Sequence, residues 1–92
     1  MERIPVTSSN IAAVGYDPDA QILEVEFAAF GKRAGTHRPV WQYSFVTPVE
    51  YANLINNFSI GRAFAAIRNA KPAKKIALID ENGIEHPIEE AV

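Results

Sequence analysis

The residues able to do chemistry are few, and their spacing points to binding rather than catalysis. A nucleophilic triad needs a serine, a histidine and a carboxylate in contact. The hydroxyls on offer are Ser8, Ser9, Ser44 and Ser59, and the only histidines are His37 and His86. Neither histidine sits in a local motif, and Ser59 stands where a helix start needs a cap. Glu24 and Glu26 lie two apart on a strand pattern and so share a face. Paired carboxylates can do acid–base work, but this alternation reads as a solvated strand face. Cysteine is absent, which excludes disulfides, thiolate zinc sites and a cysteine nucleophile. Asp17 and Asp19 belong to a turn, and neither an EF-hand nor an HExxH pattern occurs. Gly31-Lys32-Arg33-Ala34-Gly35 lacks the spacing of a phosphate-cradling loop. The expectation is a protein that is not an enzyme and uses no metal and no cofactor.

The charge pattern says more. The 92 residues carry a formal net charge of −2, unevenly spread. Residues 1–27 set Glu2, Asp17, Asp19, Glu24 and Glu26 against Arg3, and residues 79–92 are wholly acidic. Between them, residues 28–78 set eight lysines and arginines against Glu50 alone. A basic middle between acidic ends can give a mildly acidic protein a positive patch suited to phosphates or to an acidic protein surface. The competing reading is that both signs pair across a mixed surface. The candidate contact residues are Lys32, Arg33, His37, Arg38, Arg62, Arg68, Lys71, Lys74 and Lys75. Next to them in sequence, Trp41, Tyr43 and Phe45 alternate with Gln42 and Ser44 and so share a strand face. Left open, that face is a stacking platform for single-stranded RNA; covered by helices, it is core, the usual fate of three large aromatics.

Several elements must position these groups. The length fits one domain, and 48% apolar with 22% charged residues is ordinary for a globular protein. No run approaches a membrane span, and the N-terminal residues lack an apolar stretch of signal-peptide length. Ile11–Tyr16 reads as a strand, Asp17-Pro18-Asp19-Ala20 as a turn, and Ile22–Phe27 as the returning strand. Residues 28–38 read as a long basic hairpin tip leading into a strand over Val40–Val46. Thr47-Pro48-Val49-Glu50 carries a capping box and a proline at the first helical position. Tyr51, Leu54, Ile55 and Phe58 then follow helical spacing. Ser59 caps a second helix that turns Ile60, Phe64 and Ile67 to the core. Ile76–Asp80 and Ile84–His86 flank Asn82-Gly83, a strong hairpin signal. The order β-β-β-α-α-β-β predicts an α+β fold: an antiparallel sheet of three to five strands with two short helices on one face.

Three stretches then resemble the KTSC domain family, a small module named for its occurrence at the C-terminus of some lysyl-tRNA synthetases. Thr7-Ser8-Ser9-Asn10-Ile11 running into Val14-Gly15-Tyr16-Asp17 is similar to the family's opening. Trp41-Gln42-Tyr43, followed by Val46, Pro48 and Tyr51, stands where the family has Tyr-x-Tyr. Ser59-x-Gly61-x-x-Phe64-x-x-Ile67-Arg68 is the third. The likeness covers roughly residues 5–70. It divides the chain into a core over 1–70 and a β-hairpin extension over 71–92 packed on the same domain. Trp41 replaces a tyrosine, Thr47 a usual proline, and Ala63 and Ala65 stand where Tyr and Asn are frequent.

The resemblance implies a cytoplasmic protein of a bacterium or phage. RNA binding is the function suggested by the synthetase context. The expectation is a binding module for RNA or a ribonucleoprotein complex. The alternative is a phage-encoded inhibitor that docks on a host nucleoprotein machine, a CRISPR surveillance complex being the specific case, through the basic tip or the edge of the C-terminal hairpin.

Overall fold

The computed structural model describes residues 1–28 and 38–88. Its elements are β1 (Ile4–Pro5), β2 (Ile11–Asp17), β3 (Ile22–Phe27), β4 (Arg38–Tyr43), α1 (Pro48–Ile55), α2 (Ile60–Ala70), β5 (Ala73–Ile79) and β6 (Glu85–Pro87). The strands form one antiparallel sheet in chain order, β1-β2-β3-β4-β5-β6, and both helices lie in the connection from β4 to β5. The class is α+β as expected, with six strands where three to five were expected. The added strand is β1, whose pairs are Ile4 with Val14 and Pro5 with Ala13. Two residues leave no periodic signal in a sequence.

Local chemistry sets the boundaries. The Asp17 carboxylate accepts the Asp19 and Ala20 N–H groups at 3.0 and 3.2 Å, closing the β2–β3 turn. The expected tip over 28–38 falls outside the described residues except for its ends, Ala28 and Arg38. At α1, the Thr47 hydroxyl accepts from the Glu50 N–H at 3.2 Å, and the Glu50 carboxylate accepts from the Thr47 N–H at 3.0 Å. This reciprocal pair satisfies two donors that a helix start otherwise leaves open. Ser59 caps α2 through the Arg62 N–H.

Several strand boundaries differ from the expectation, and two of them bear on the candidate site. β4 stops at Tyr43, short of Val46. There the Ser44 N–H leaves the ladder for the Pro72 carbonyl at 2.9 Å, and Phe45 takes φ 62°. That left-handed turn throws Phe45 into solvent at 68% exposure, so it does not share the face of Trp41 and Tyr43. β5 starts at Ala73, three residues earlier than expected, because the lysine-rich connector pairs with β4: Ala73, Lys74 and Lys75 stand opposite Tyr43, Gln42 and Trp41.

The pleat sorts side chains onto two faces. The helix face carries Ile11, Val14, Leu23, Val25 and Tyr43, which pack with Val46, Leu54, Phe64 and Ile67 in the main core. Phe64 touches Phe27 and Tyr43 edge-on, with centroids 5.8 and 5.1 Å apart. The other face carries a smaller buried cluster of Val40, Ala77 and Ile79. A bulge between Val40 and Trp41 leaves Ile76 without an opposite residue. It sets Lys75 beside Trp41 on the helix face and Lys74 beside Gln42 on the other. The N-terminal residues cross that second face over Gly15, where a Cβ would lie 2.6 Å from the Glu2 carbonyl oxygen.

Candidate nucleic-acid interface

The two helices do not cover the whole helix face. α2 crosses it at Phe64 and Ile67 and leaves the β4–β5 side open. The result is a groove of about 430 Å³ walled by Phe27, Pro39, Trp41, Tyr43 and Ala73, with Asn10 and Arg68 at its margins. Its walls are apolar and aromatic, and among the described residues no carboxylate lines it. Lys75 Nζ stands 5.7 Å from the Trp41 ring centroid, within cation–π range. The aromatic strand therefore divides three ways: Tyr43 is core at 4% exposure, Trp41 is a half-buried groove wall, and Phe45 is exposed.

Three polar groups converge on this groove. Arg68 comes from the last turns of α2, where a cation also suits the helix dipole. The Tyr43 hydroxyl is near enough for the Arg68 charge to favour its ionised form, although burial dominates and holds its pKa above the ordinary tyrosine value. Asn10 is fixed by its neighbours. The Ser8 hydroxyl oxygen already accepts the Ile11 and Asn10 N–H groups, at 3.3 and 3.4 Å, so its proton goes to Asn10 Oδ1, 2.9 Å away. Gly61 lies against the same oxygen; a Cβ there would come within 2.7 Å of it.

The nine basic candidates are not gathered on one surface. Arg68 and Lys75 border the groove. Arg38 is on the opposite sheet face, 3.9 Å from Glu26, and Lys74 shares that face. Lys71 is bound between the Glu50 carboxylate and the Phe45 carbonyl, both at 2.8 Å. Arg62 is at the other end of α2, beside Ser9 and Phe58. Lys32, Arg33 and His37 lie outside the described residues. Sequence reasoning missed Asn10, Phe27 and Pro39 as groove residues, because an aromatic or a proline in a strand pattern looks the same whether or not a helix covers it.

Several of the other chemical candidates are engaged within the fold. The face of Glu24 and Glu26 is not a free solvated one. Glu24 is buried at 6% exposure, and its oxygens bind Arg3 at 2.8 Å and Gln42 at 3.3 Å. His86 pairs with Asp80 at 2.7 Å in the β5–β6 hairpin. Among the described residues no three metal-ligating side chains cluster, and no described helix is long and apolar enough to cross a membrane.

The family model described as KTSC domain matches residues 7–70, which contain both helices, the capping residues, Asn10, Gly61 and Trp41. An uncharacterized protein of Stutzerimonas stutzeri is 36% identical over 64 residues, covering 70% of this chain and 79% of that protein. The crystal structure of a KTSC domain protein from Yersinia pestis superposes with a TM-score of 0.69 at 34% identity, covering 82% of this chain and 96% of that one. With the matched segment spanning β2 to β4 and both helices, well over half of the chain, the chain belongs to the KTSC domain family.

Proposed function

We propose that this protein is a non-catalytic binding module for single-stranded RNA, free or within a ribonucleoprotein complex, and that the groove beside Trp41 is its contact surface. The observation that carries this reading is the pairing of an aromatic wall that the helices leave uncovered with two cations and, among the described residues, no carboxylate. Trp41 offers a π-face for a base, while Arg68 and Lys75 flank it where phosphates would run. Base–aromatic stacking contributes about 1–3 kcal/mol per base, and a positively charged groove tracks the backbone. Arg38, Lys74 and Arg62 then add long-range attraction rather than direct contact.

Trp41 is the only tryptophan of the chain, so its fluorescence reports on the groove alone. Titration with a single-stranded RNA decamer should quench it. The affinity should fall with log salt at a slope of about −0.7 per phosphate contacted. Arg68→Ala and Lys75→Ala should each reduce that slope, measured with labelled RNA. Unchanged fluorescence and no binding at low salt would defeat the reading.

A second reading, docking on a protein of a nucleoprotein complex, is favoured by two aromatics held in solvent. Phe58 is fully exposed between the helices, and Phe45 is exposed in a left-handed conformation that costs a bulky residue about 1 kcal/mol or more. An inhibitor of a CRISPR surveillance complex would be one case. Under this reading isolated RNA binds poorly, and Phe45→Ser and Phe58→Ser abolish capture of the complex while Arg68→Ala does not.

A further inference from the structure

The polar margin of the groove is one-sided in its hydrogen bonding, and this deepens the RNA reading, on which it rests. Asn10 is the informative residue. Its carboxamide would ordinarily offer both a donor and an acceptor, the pair that recognises adenine bidentately. Here the oxygen is already bonded on one side and crowded on the other. The Ser8 hydroxyl donates to it at 2.9 Å, and Gly61 closes the space beside it. The orientation follows from Ser8, whose oxygen already accepts two backbone N–H groups and has only its proton left to give. Asn10 lines the groove, and its amide nitrogen has no protein partner among the described residues. Arg68 is donor-only by chemistry, and no ion pair holds it among the described residues. The groove margin supplies donors, with the Tyr43 hydroxyl as the one group able to act either way.

We propose that this groove selects an unpaired base with a carbonyl-rich edge, uracil in the first place, over adenine. Uracil presents two carbonyl oxygens that Asn10 Nδ2 and the Arg68 guanidinium can bind while its ring lies on Trp41. Adenine brings an exocyclic amino group for which Asn10 has no free acceptor, and a donor facing donors is left unpaired at a cost. The volume of about 430 Å³ is at the small end of ligand pockets and fits one nucleotide unit rather than a folded RNA element.

The test compares oligo(U) and oligo(A) decamers on the full chain, read by Trp41 fluorescence at one salt concentration. Wild-type protein should bind oligo(U) at least about fivefold more tightly, the worth of one net hydrogen bond. Asn10→Asp replaces the amide donor with an acceptor and keeps the Ser8 contact. Asn10→Ala removes both ends. Each variant should bring the oligo(U)/oligo(A) ratio down toward one. Stacking of oligo(A) on itself affects all three proteins alike, so the change in ratio isolates Asn10. Circular dichroism of each variant establishes that it folds. A wild-type ratio near one, or a ratio that Asn10→Asp and Asn10→Ala leave unchanged, overturns the selectivity while RNA binding stands. No binding of either decamer overturns both.

Discussion

Arg3, from the segment before β1, is hydrogen-bonded to Glu85 of β6, so one side chain joins the two ends of a six-stranded sheet. The same guanidinium binds Glu24 at 2.8 Å and reaches Glu26 at 3.4 Å, both on β3. β3 and β6 are three strand spacings apart, about 14 Å in a flat sheet. The guanidinium and the carboxylates it binds bridge that gap on the face opposite the helices.

Arg3→Met should therefore lower stability out of proportion to an ordinary surface arginine. It leaves Glu24, which is buried, with only Gln42 as a side-chain partner. Breaking a buried ion pair costs more than such a pair is worth intact, and the partial exposure of Arg3 moderates this to a loss of about 1–3 kcal/mol. Urea denaturation would measure it as a drop in midpoint with an unchanged slope. A midpoint within experimental error of wild type would show that the Arg3 bridge contributes nothing to holding the sheet together.

Tyr16 and Tyr51 stack with ring centroids 4.4 Å apart, and the Tyr16 hydroxyl donates to the Val46 carbonyl at 2.5 Å. This bond ties the C-terminal end of β2 to the segment that enters α1. Tyr16→Phe keeps the stacking and loses the hydroxyl, leaving the Val46 carbonyl without that donor. The expected loss is about 1 kcal/mol, whereas Tyr16→Leu, which removes the ring as well, should lose about 1 kcal/mol more. Equal midpoints for the two variants would show that the ring contact contributes nothing.

What the sequence discloses here depends on whether the cause is local. Thr47 and Glu50, Ser59, Asp17 and Asn82-Gly83 act on their own neighbours, so their residue types alone announce a helix start or a turn. Glu24 looks like one half of a solvated face because its alternation with Val25 is local, whereas its burial comes from Arg3, 21 residues away. Lys74 and Lys75 look like one basic run; their place in β5, paired with Gln42 and Trp41, sends them to opposite faces by strand alternation. Trp41 and Tyr43 have the same pattern, and only the length and placement of α2 decide that one is groove and the other core. Phe45 departs from the alternation because the Pro72 carbonyl and Lys71, both after α2, take over the backbone at the strand end.

Glu50 gives the fold a defined acid sensitivity. Its hydrogen bond from Lys71, and then the Thr47 N–H, hold its carboxyl below the ordinary value. A folded-state pKa below the unfolded one makes the contribution fully present above the unfolded value. It is lost as pH falls through the folded one. Stability should therefore drop between about pH 5 and pH 3 in the wild type. Glu50→Gln, which cannot titrate, should be less stable at neutral pH and show a shallower decline over that window. Parallel pH profiles of unfolding free energy for the two proteins would contradict a role for Glu50 in the acid response.

Gly61→Ala sets two opposing effects against each other. Gly61 is the second residue of α2, and alanine there gains up to about 1 kcal/mol in helix propensity. A Cβ at that position would stand 2.7 Å from Asn10 Oδ1 and 3.3 Å from Ser8 Oγ. Neither can simply retreat, because Ser8 is bonded to two backbone N–H groups and Asn10 to Ser8. Overpacking of this kind costs about 1–3 kcal/mol, so the clash should win and the net change should be a destabilisation of about 1 kcal/mol. The relief available is rotation of the Asn10 carboxamide away from Gly61, which would free its oxygen. The variant should then lose stability in urea and, in the same protein, lose preference for oligo(U) over oligo(A). A stabilised Gly61→Ala with its base preference intact would mean that Asn10 is not held by the Gly61 contact.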